Sequence, residues 1–317
     1  MKVDSMIEKQ DLLDCLDRIA PFIHRTPVMT SRTLNEMTGT DIVFKCENFQ
    51  RMGAFKMRGA MNAVLCLSEE QRQRGVVTHS SGNFAQALAL SAKTVGIKAW
   101  IVMPSDAPLV KKDAVRGYGG DIIECDPDVR SRETTAERVQ KEHGATFLHP
   151  FNDYQVITGQ GTAGLELLQD QPDLDVIMAP VGGGGLISGC ALAAHYFGNG
   201  CRTIGGEPSV VDDAARSLAS GRLETNTTAV TIADGLRTQL GDKTLPIMLS
   251  HVERIICVEE DEIVAAMRLI WERMKIVVEP SGAVPLAALM RERGAFIGKR
   301  VGMILSGGNV DLSRLPF

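Results

Sequence analysis

The sequence predicts an α/β protein built from two doubly wound, open parallel-sheet domains. Three observations carry that expectation. Short apolar runs alternate with helix-forming runs along the 317 residues, the loops directly after several apolar runs are built of Gly, Ser and Asn, and 44% hydrophobic content supplies an ample core. Strand, short loop and helix, repeated, produce a parallel sheet with helices on its faces.

Taken in order, MKVDSMIEKQDLLDCLDRI carries charges throughout, so it reads as an amphipathic helix rather than a signal peptide. GVVTHSSG leads into NFAQALALSAKTVG, KAWIVMPSD into APLVKKDAVRGYG, and DIIECD into RSRETTAERVQKEHG. A break falls near FLHPFNDYQVITGQG, where the helix TAGLELLQD opens a new layer. DVIMAPVGGGG then leads into LISGCALAAHYFG, CRTIGGEPS into VVDDAARSLASG, and VGMILSGGN supplies the last strand. No Pro/Gly/Ser-rich linker and no internal repeat divides the chain.

The 34 basic and 39 acidic residues give a net charge of −5 with no basic block, which argues against a nucleic-acid partner. The most apolar window, VIMAPVGGGGLISGCALAAHYFG, is interrupted by Pro180 and four glycines, so no membrane span is expected. Seven cysteines without a C-x-x-C pair argue against a zinc knuckle or a disulfide framework and point to a reducing cytoplasm.

Open parallel sheets bind ligands at the carboxyl ends of their strands. Ser80, Ser81, Gly82 and Asn83 follow VVTH and open a helix; they read as an N-cap turn or as a carboxylate pocket. Gly182, Gly183, Gly184 and Gly185 follow DVIMAPV; consecutive glycines mark either a tight turn or a close approach of the main chain to a phosphate. Their spacing satisfies neither G-x-x-x-x-G-K-[ST] nor G-x-G-x-x-G. Ser306, Gly307, Gly308 and Asn309 end the last strand. Lys56, in GAFKMRGAMNAV, precedes helix formers; it is either a solvated first-turn charge or an amine whose neutral, nucleophilic form the helix end favours.

In order along the chain stand HRTPV, FKCENFQRMGAFKMRGA, THSSGN, SRE at 131–133, HPFND, GQGTAGLEL, VGGGGLISG, GGEPS, IADGLR, VVEPSGA and SGGN. With these motifs the chain resembles the pyridoxal-phosphate enzymes of fold type II, the tryptophan synthase β-like fold, and within them the serine/threonine dehydratase and serine racemase group. The resemblance implies that Lys56 bonds covalently to pyridoxal phosphate, that Phe55 lies against its ring and that Asn83 meets its 3′-oxygen. It also implies that Gly182 to Gly185 hold the phosphate and that Ser306 faces the ring nitrogen. Ser80, Ser81, Asn83 and Arg132 are then the substrate contacts, with Lys56 as base and Ser81 as acid/base on the opposite face, where it permits racemisation. Glu207, Asp213 and the Val211 carbonyl match a site for Mg²⁺ or Mn²⁺. Residues 1–74 with 153–317 form the expected large cofactor domain, and 75–152 a small mobile domain.

The expected activity is β-elimination of a hydroxy amino acid such as L-threonine or L-serine to a 2-oxo acid and ammonia, by a cytoplasmic homodimer acting on a small-molecule substrate. Phe84 departs from the His that many relatives carry after S-x-G-N, at a position expected to border the substrate carboxylate. That change opens two alternatives: an amino acid racemase, or a dehydratase specialised for 3-hydroxyaspartate or a hydroxyectoine-derived amino acid. A chain ending at Phe317 leaves no room for the regulatory domain of biosynthetic threonine dehydratases. An NAD-dependent oxidoreductase, with Glu207 about 20 residues beyond the glycine loop, is the reading from another class, and the glycine spacing counts against it.

Overall fold

A computed structural model of the chain describes residues 7–317. Its strands are β1 (Val28–Thr30), β2 (Asp41–Cys46), β3 (Val76–His79), β4 (Ala99–Pro104), β5 (Asp121–Cys125), β6 (Thr146–Phe147), β7 (Val176–Pro180), β8 (Arg202–Pro208), β9 (Arg254–Val258) and β10 (Arg300–Leu305). They form a six-stranded sheet, β1-β2-β10-β7-β8-β9, and a four-stranded sheet, β5-β4-β3-β6. Every pairing is parallel except β1 with β2, so the larger sheet carries one antiparallel edge strand. All four strands of the smaller sheet lie between residues 76 and 147.

Four strands are absent from the sequence reading, and each hides for a physical reason; β6, with two half-buried residues, is too short to show a period. β1 has only three residues, none of them buried. β2 contains Lys45, a charge that a buried strand normally excludes. Its ammonium is nevertheless fully buried, bonded to Glu166 at 2.6 Å and to the Thr26 carbonyl at 2.8 Å. β9 is half-buried along most of its length.

The helix expected from TAGLELLQD begins earlier, at Tyr154, and runs to Asp170. The Asp153 carboxylate caps it by accepting the Gln155 and Val156 N–H groups at 2.8 and 3.2 Å. Its interior glycines disguise the helix because their helix-breaking tendency is outweighed by packing. A Cβ at Gly159 would lie 2.7 Å from the Arg58 carbonyl oxygen, and one at Gly161 would lie 2.9 Å from the Gly189 oxygen. Only glycine lets this helix approach the helices Lys56–Leu65 and Gly185–Phe197 so closely. Among the described residues no helix is long and apolar enough to cross a membrane.

Candidate active site

Lys56 is the first residue of the helix Lys56–Leu65. The chain reaches it through a sharp turn: Met52 and Gly53 both take left-handed backbone, with φ of 56° and 78°. The Gly308 N–H donates to the Gly53 carbonyl at 2.9 Å, and the Phe55 N–H donates to the Ser306 carbonyl at 2.9 Å. The terminal Ser306 loop therefore clamps the segment that aims Lys56. The Lys56 ammonium donates to the Pro150 carbonyl at 2.8 Å and lies 5.0 and 5.8 Å from the ring centroids of Phe55 and Phe84. Burial pushes the amine down to about 8, against the opposing charge of Glu279. Burial is thus the leading cause of the shift that the sequence reading ascribed to the helix end. Phe84 is itself buried, so its ring forms part of the apolar wall around the amine.

The glycine run is buried throughout and starts the helix Gly185–Phe197. Each glycine answers a separate demand. A Cβ at Gly182 would lie 2.9 Å from the Leu236 Cα, and one at Gly185 would lie 3.0 Å from the Phe151 Cβ. A Cβ at Gly183 would run into the Phe151 ring, and Gly184 has φ of +83°. No side chain caps the helix start, whose first N–H groups lack intrahelical acceptors and suit an anion. Phe151 follows Pro150, so one short segment touches both the amine and the glycine loop.

Ser80, Ser81 and Gly82 are half-buried ahead of the helix Asn83–Thr94, whose N-terminus also lacks a side-chain cap. The Asn83 Nδ2 donates to the two Glu279 oxygens at 3.0 and 3.1 Å, and its Oδ1 accepts from Asn309 Nδ2 at 2.8 Å. Ser306 is buried beside this group. Arg132 sits in the helix Val129–His143, and its Nε is buried without a hydrogen-bond partner. Its charge acts on His79, at the carboxyl end of β3 and next to Ser80.

Glu207 is the penultimate residue of β8, where its carboxylate accepts the Ala214 and Ala215 N–H groups at 3.0 and 2.9 Å. Asp213 accepts from Asn226 Nδ2 at 2.5 Å and from the Leu240 N–H at 3.0 Å. Burial, helped by the neighbouring Asp213, pushes Glu207 up to about 8. Two buried carboxylates without a Lys or Arg salt bridge, with only the charge of Arg216 acting on Asp213, fit a hard cation. Among the described residues no cluster of three or more His, Cys, Asp or Glu side chains converges, so the protein's side-chain ligands would be these two.

Sequence reasoning gave no role to Glu279, Asn309, the Pro150 carbonyl or His149. The His149 Nδ1 accepts the Asn152 N–H at 2.9 Å and stiffens the turn that presents Pro150. Burial lowers its pKa to about 4, so the ring is neutral near pH 7. The residues stand in HPFND and VVEPSGA, but a carbonyl partner and an amide contact between residues far apart in the sequence leave no residue-type signature. Together, a buried amine and an uncapped helix start with a glycine cradle fit pyridoxal phosphate, and the Asn83 amide adds a donor beside them.

Comparison with known proteins agrees. The family profile described as "Pyridoxal-phosphate dependent enzyme" matches residues 19–307. The chain is 50% identical over 308 residues to beta-hydroxyaspartate dehydratase of Paracoccus denitrificans, covering 97% of this chain and 98% of that protein. It is 47% identical over 305 residues to L-threo-3-hydroxyaspartate ammonia-lyase of Saccharomyces cerevisiae, covering 96% and 94%. The crystal structure of serine racemase from Dictyostelium discoideum superposes with a TM-score of 0.93 at 46% identity, covering 97% of this chain and 100% of that one. The profile match, these relatives and the glycine-cradled amine assign the chain to the pyridoxal-phosphate dependent enzymes of fold type II.

Proposed function

We propose that the protein is an ammonia-lyase that converts a 3-hydroxyaspartate to a 2-oxo diacid and ammonia. This reading takes the hydroxyaspartate alternative over the threonine or serine activity expected first. The observation that carries the chemistry is Lys56: a buried amine, bonded only to a carbonyl and poised near neutrality, is equipped to take and return a proton. The substrate class rests on the two hydroxyaspartate-consuming relatives and on Arg132, a cation whose buried, unpartnered Nε suits a second carboxylate.

Pyridoxal phosphate, when bound, supplies the electron sink that acidifies the substrate Cα–H. Gly182 to Gly185 would hold its phosphate and Asn83 its 3′-oxygen, with Phe55 and Ser306 beside its ring. Ser80, Ser81 and the start of the helix Asn83–Thr94 take the α-carboxylate. Lys56 removes the Cα proton, and the β-hydroxyl leaves as water. Hydrolysis of the resulting enamine returns that water and releases ammonia, so hydroxyaspartate gives the oxo diacid and ammonia with atoms in balance. Phe55, Phe84 and Phe151 exclude solvent around the amine.

Residues 75–152 act as the smaller unit that carries Ser80 to Asn83 and Arg132 to the site on 1–74 and 153–317. A divalent cation at Glu207, Asp213 and Val211 is structural: the Leu240 N–H donates to Asp213 while the Leu240 side chain packs beside Gly184, which ties the cation to the phosphate loop. Ser81 favours a second reading, racemisation, because it lies on the substrate loop rather than on the Lys56 segment.

The test is ammonia and 2-oxo acid release from all four 3-hydroxyaspartate stereoisomers, L- and D-serine and L-threonine. Preference for one hydroxyaspartate isomer by tenfold or more in kcat/KM, on the order of 1.4 kcal/mol, is expected. Equal or faster turnover of serine or threonine overturns the substrate assignment.

A further inference from the structure

Glu279 is a buried carboxylate at which separate parts of the chain meet. It precedes Pro280, the first residue of the helix Pro280–Arg291, and its N–H donates to the Gly307 carbonyl at 3.0 Å. A Cβ at Gly307 would lie 2.8 Å from its Oε1, so the terminal loop closes directly over the carboxylate. From the smaller sheet's side, Asn83 reaches both oxygens; Asn83 in turn is held by Asn309, whose Nδ2 also donates to the Met52 carbonyl at 2.8 Å. Glu279 therefore links the Asn83 helix, the turn that aims Lys56 and the last strand's loop. Its bonding orients the Asn83 amide, with Nδ2 on the carboxylate and Oδ1 on Asn309.

We propose that Glu279 is a positioning residue that fixes the Asn83 amide for the cofactor and, through its charge, sets how readily Lys56 gives up its proton. A purely structural carboxyl at this depth would be paired with a cation, as Glu47 is with Arg58 at 2.8 Å. Glu279 takes instead a neutral amide and acts on Lys56 through space. Around Glu279 stand Asp234, which raises its proton affinity further after burial, the Asn83 amide and the Asn309 N–H, which lower it, and Lys111, which is bonded to Asp234 at 2.5 Å. Around Lys56 stand the Pro150 carbonyl, the Phe55 and Phe84 rings and the neutral His149. When ionised, the Glu279 carboxylate favours the protonated form of Lys56; burial raises its own pKa to about 7, so that charge grows in across neutral pH. The assignment rests on Lys56 as the reactive amine and is independent of the substrate.

The test uses the full chain stripped of cofactor and then given pyridoxal phosphate. The rate of cofactor capture, followed by visible absorbance against pH, reads the neutral fraction of Lys56; the dissociation constant at pH 9.5, where the amine is neutral throughout, reads the Asn83 contact. Glu279→Gln keeps an acceptor for Asn83 but loses the charge. Its capture midpoint is expected to fall by half to one pH unit, giving roughly three- to tenfold faster capture at pH 7. Its dissociation constant at pH 9.5 should stay within about threefold of wild type. Glu279→Ala loses charge and acceptor, so both readouts should change, while Glu279→Asp should keep the wild-type midpoint. A Gln midpoint at or above the wild-type value overturns the charge role, and unchanged affinity in Glu279→Ala overturns the Asn83 role. Borohydride reduction with peptide mapping locates the cofactor lysine separately: a lysine other than Lys56 sinks the catalytic assignment of the Proposed function and this one with it, whereas labelled Lys56 with an unmoved Gln midpoint sinks the coupling to Glu279 alone.

Discussion

Lys56 and Arg58 lie two residues apart on one helix, and their surroundings are opposite. Arg58 is fully buried in a closed ionic network: it donates to Glu47 twice at 2.8 Å and to Glu166 at 3.0 and 2.8 Å, with Lys45 on Glu166 and Thr26 on Glu47. Two cations face two carboxylates, so the charges cancel within one shell. Lys56 has one carbonyl and two aromatic rings, and the carboxylate that acts on it is turned toward Asn83. Burial that is fully compensated anchors an element, whereas burial left uncompensated makes a proton easy to move. The helix uses its second residue after Lys56 as a fixed anchor so that Lys56 itself can stay reactive.

This contrast is broken most severely at Lys56. Lys56→Ala is expected to lower turnover by roughly 10³-fold or more, within the range of a lost general base. It should cost no stability, because the removed amine is desolvated and poorly paired. A urea midpoint clearly below wild type would mean that Lys56 is an anchor too.

Arg58→Met attacks the other side. It leaves Glu47 and Glu166 short of a cation, and a loss of about 3–5 kcal/mol in unfolding free energy is expected. A loss below about 1 kcal/mol would show that the network is not what holds the helix.

Glu207 extends the comparison to a third region. Its folded pKa, about 8, lies above the unfolded value near 4.5, so its contribution to stability is full below about pH 4.5 and is lost as pH rises through 8. Glu207→Gln should flatten the decline of melting temperature over that window in metal-free protein. Mg²⁺ at pH 8 should raise the wild-type melting temperature by a few degrees and leave the variant unmoved. An equal Mg²⁺ response in both proteins would remove the cation from this site.

The smallest effect is expected at Lys111, whose pair with Asp234 at 2.5 Å is about one-third exposed on each side. Lys111→Ala should change stability by less than about 1 kcal/mol. A larger loss in thermal or urea unfolding would make that pair a second anchor of the Arg58 kind.

The glycine run, the serine loop and Lys56 were legible in the sequence because each is an unusual residue choice at a strand end, and such choices are costly unless something demands them. Helix Tyr154–Asp170 was only half legible, because its glycines serve helix contacts far away in the chain. Lys45 and Glu47 gave no usable signal: in a sequence a charge in an apolar run speaks against a strand, and here partners at positions 58 and 166 reverse that meaning.

By itself the sequence determined the alternation of strand and helix, the loops at strand ends and the residue types that carry the chemistry, since those depend on local periodicity and on side chains in short stretches. Only the tertiary structure decided which charges cancel and which remain active. Proton affinity is set by burial and by the nearest charge, and for Lys56 these bring together the adjacent Phe55, Phe84 from another helix, the Pro150 carbonyl 94 positions away and Glu279 more than 200 positions away.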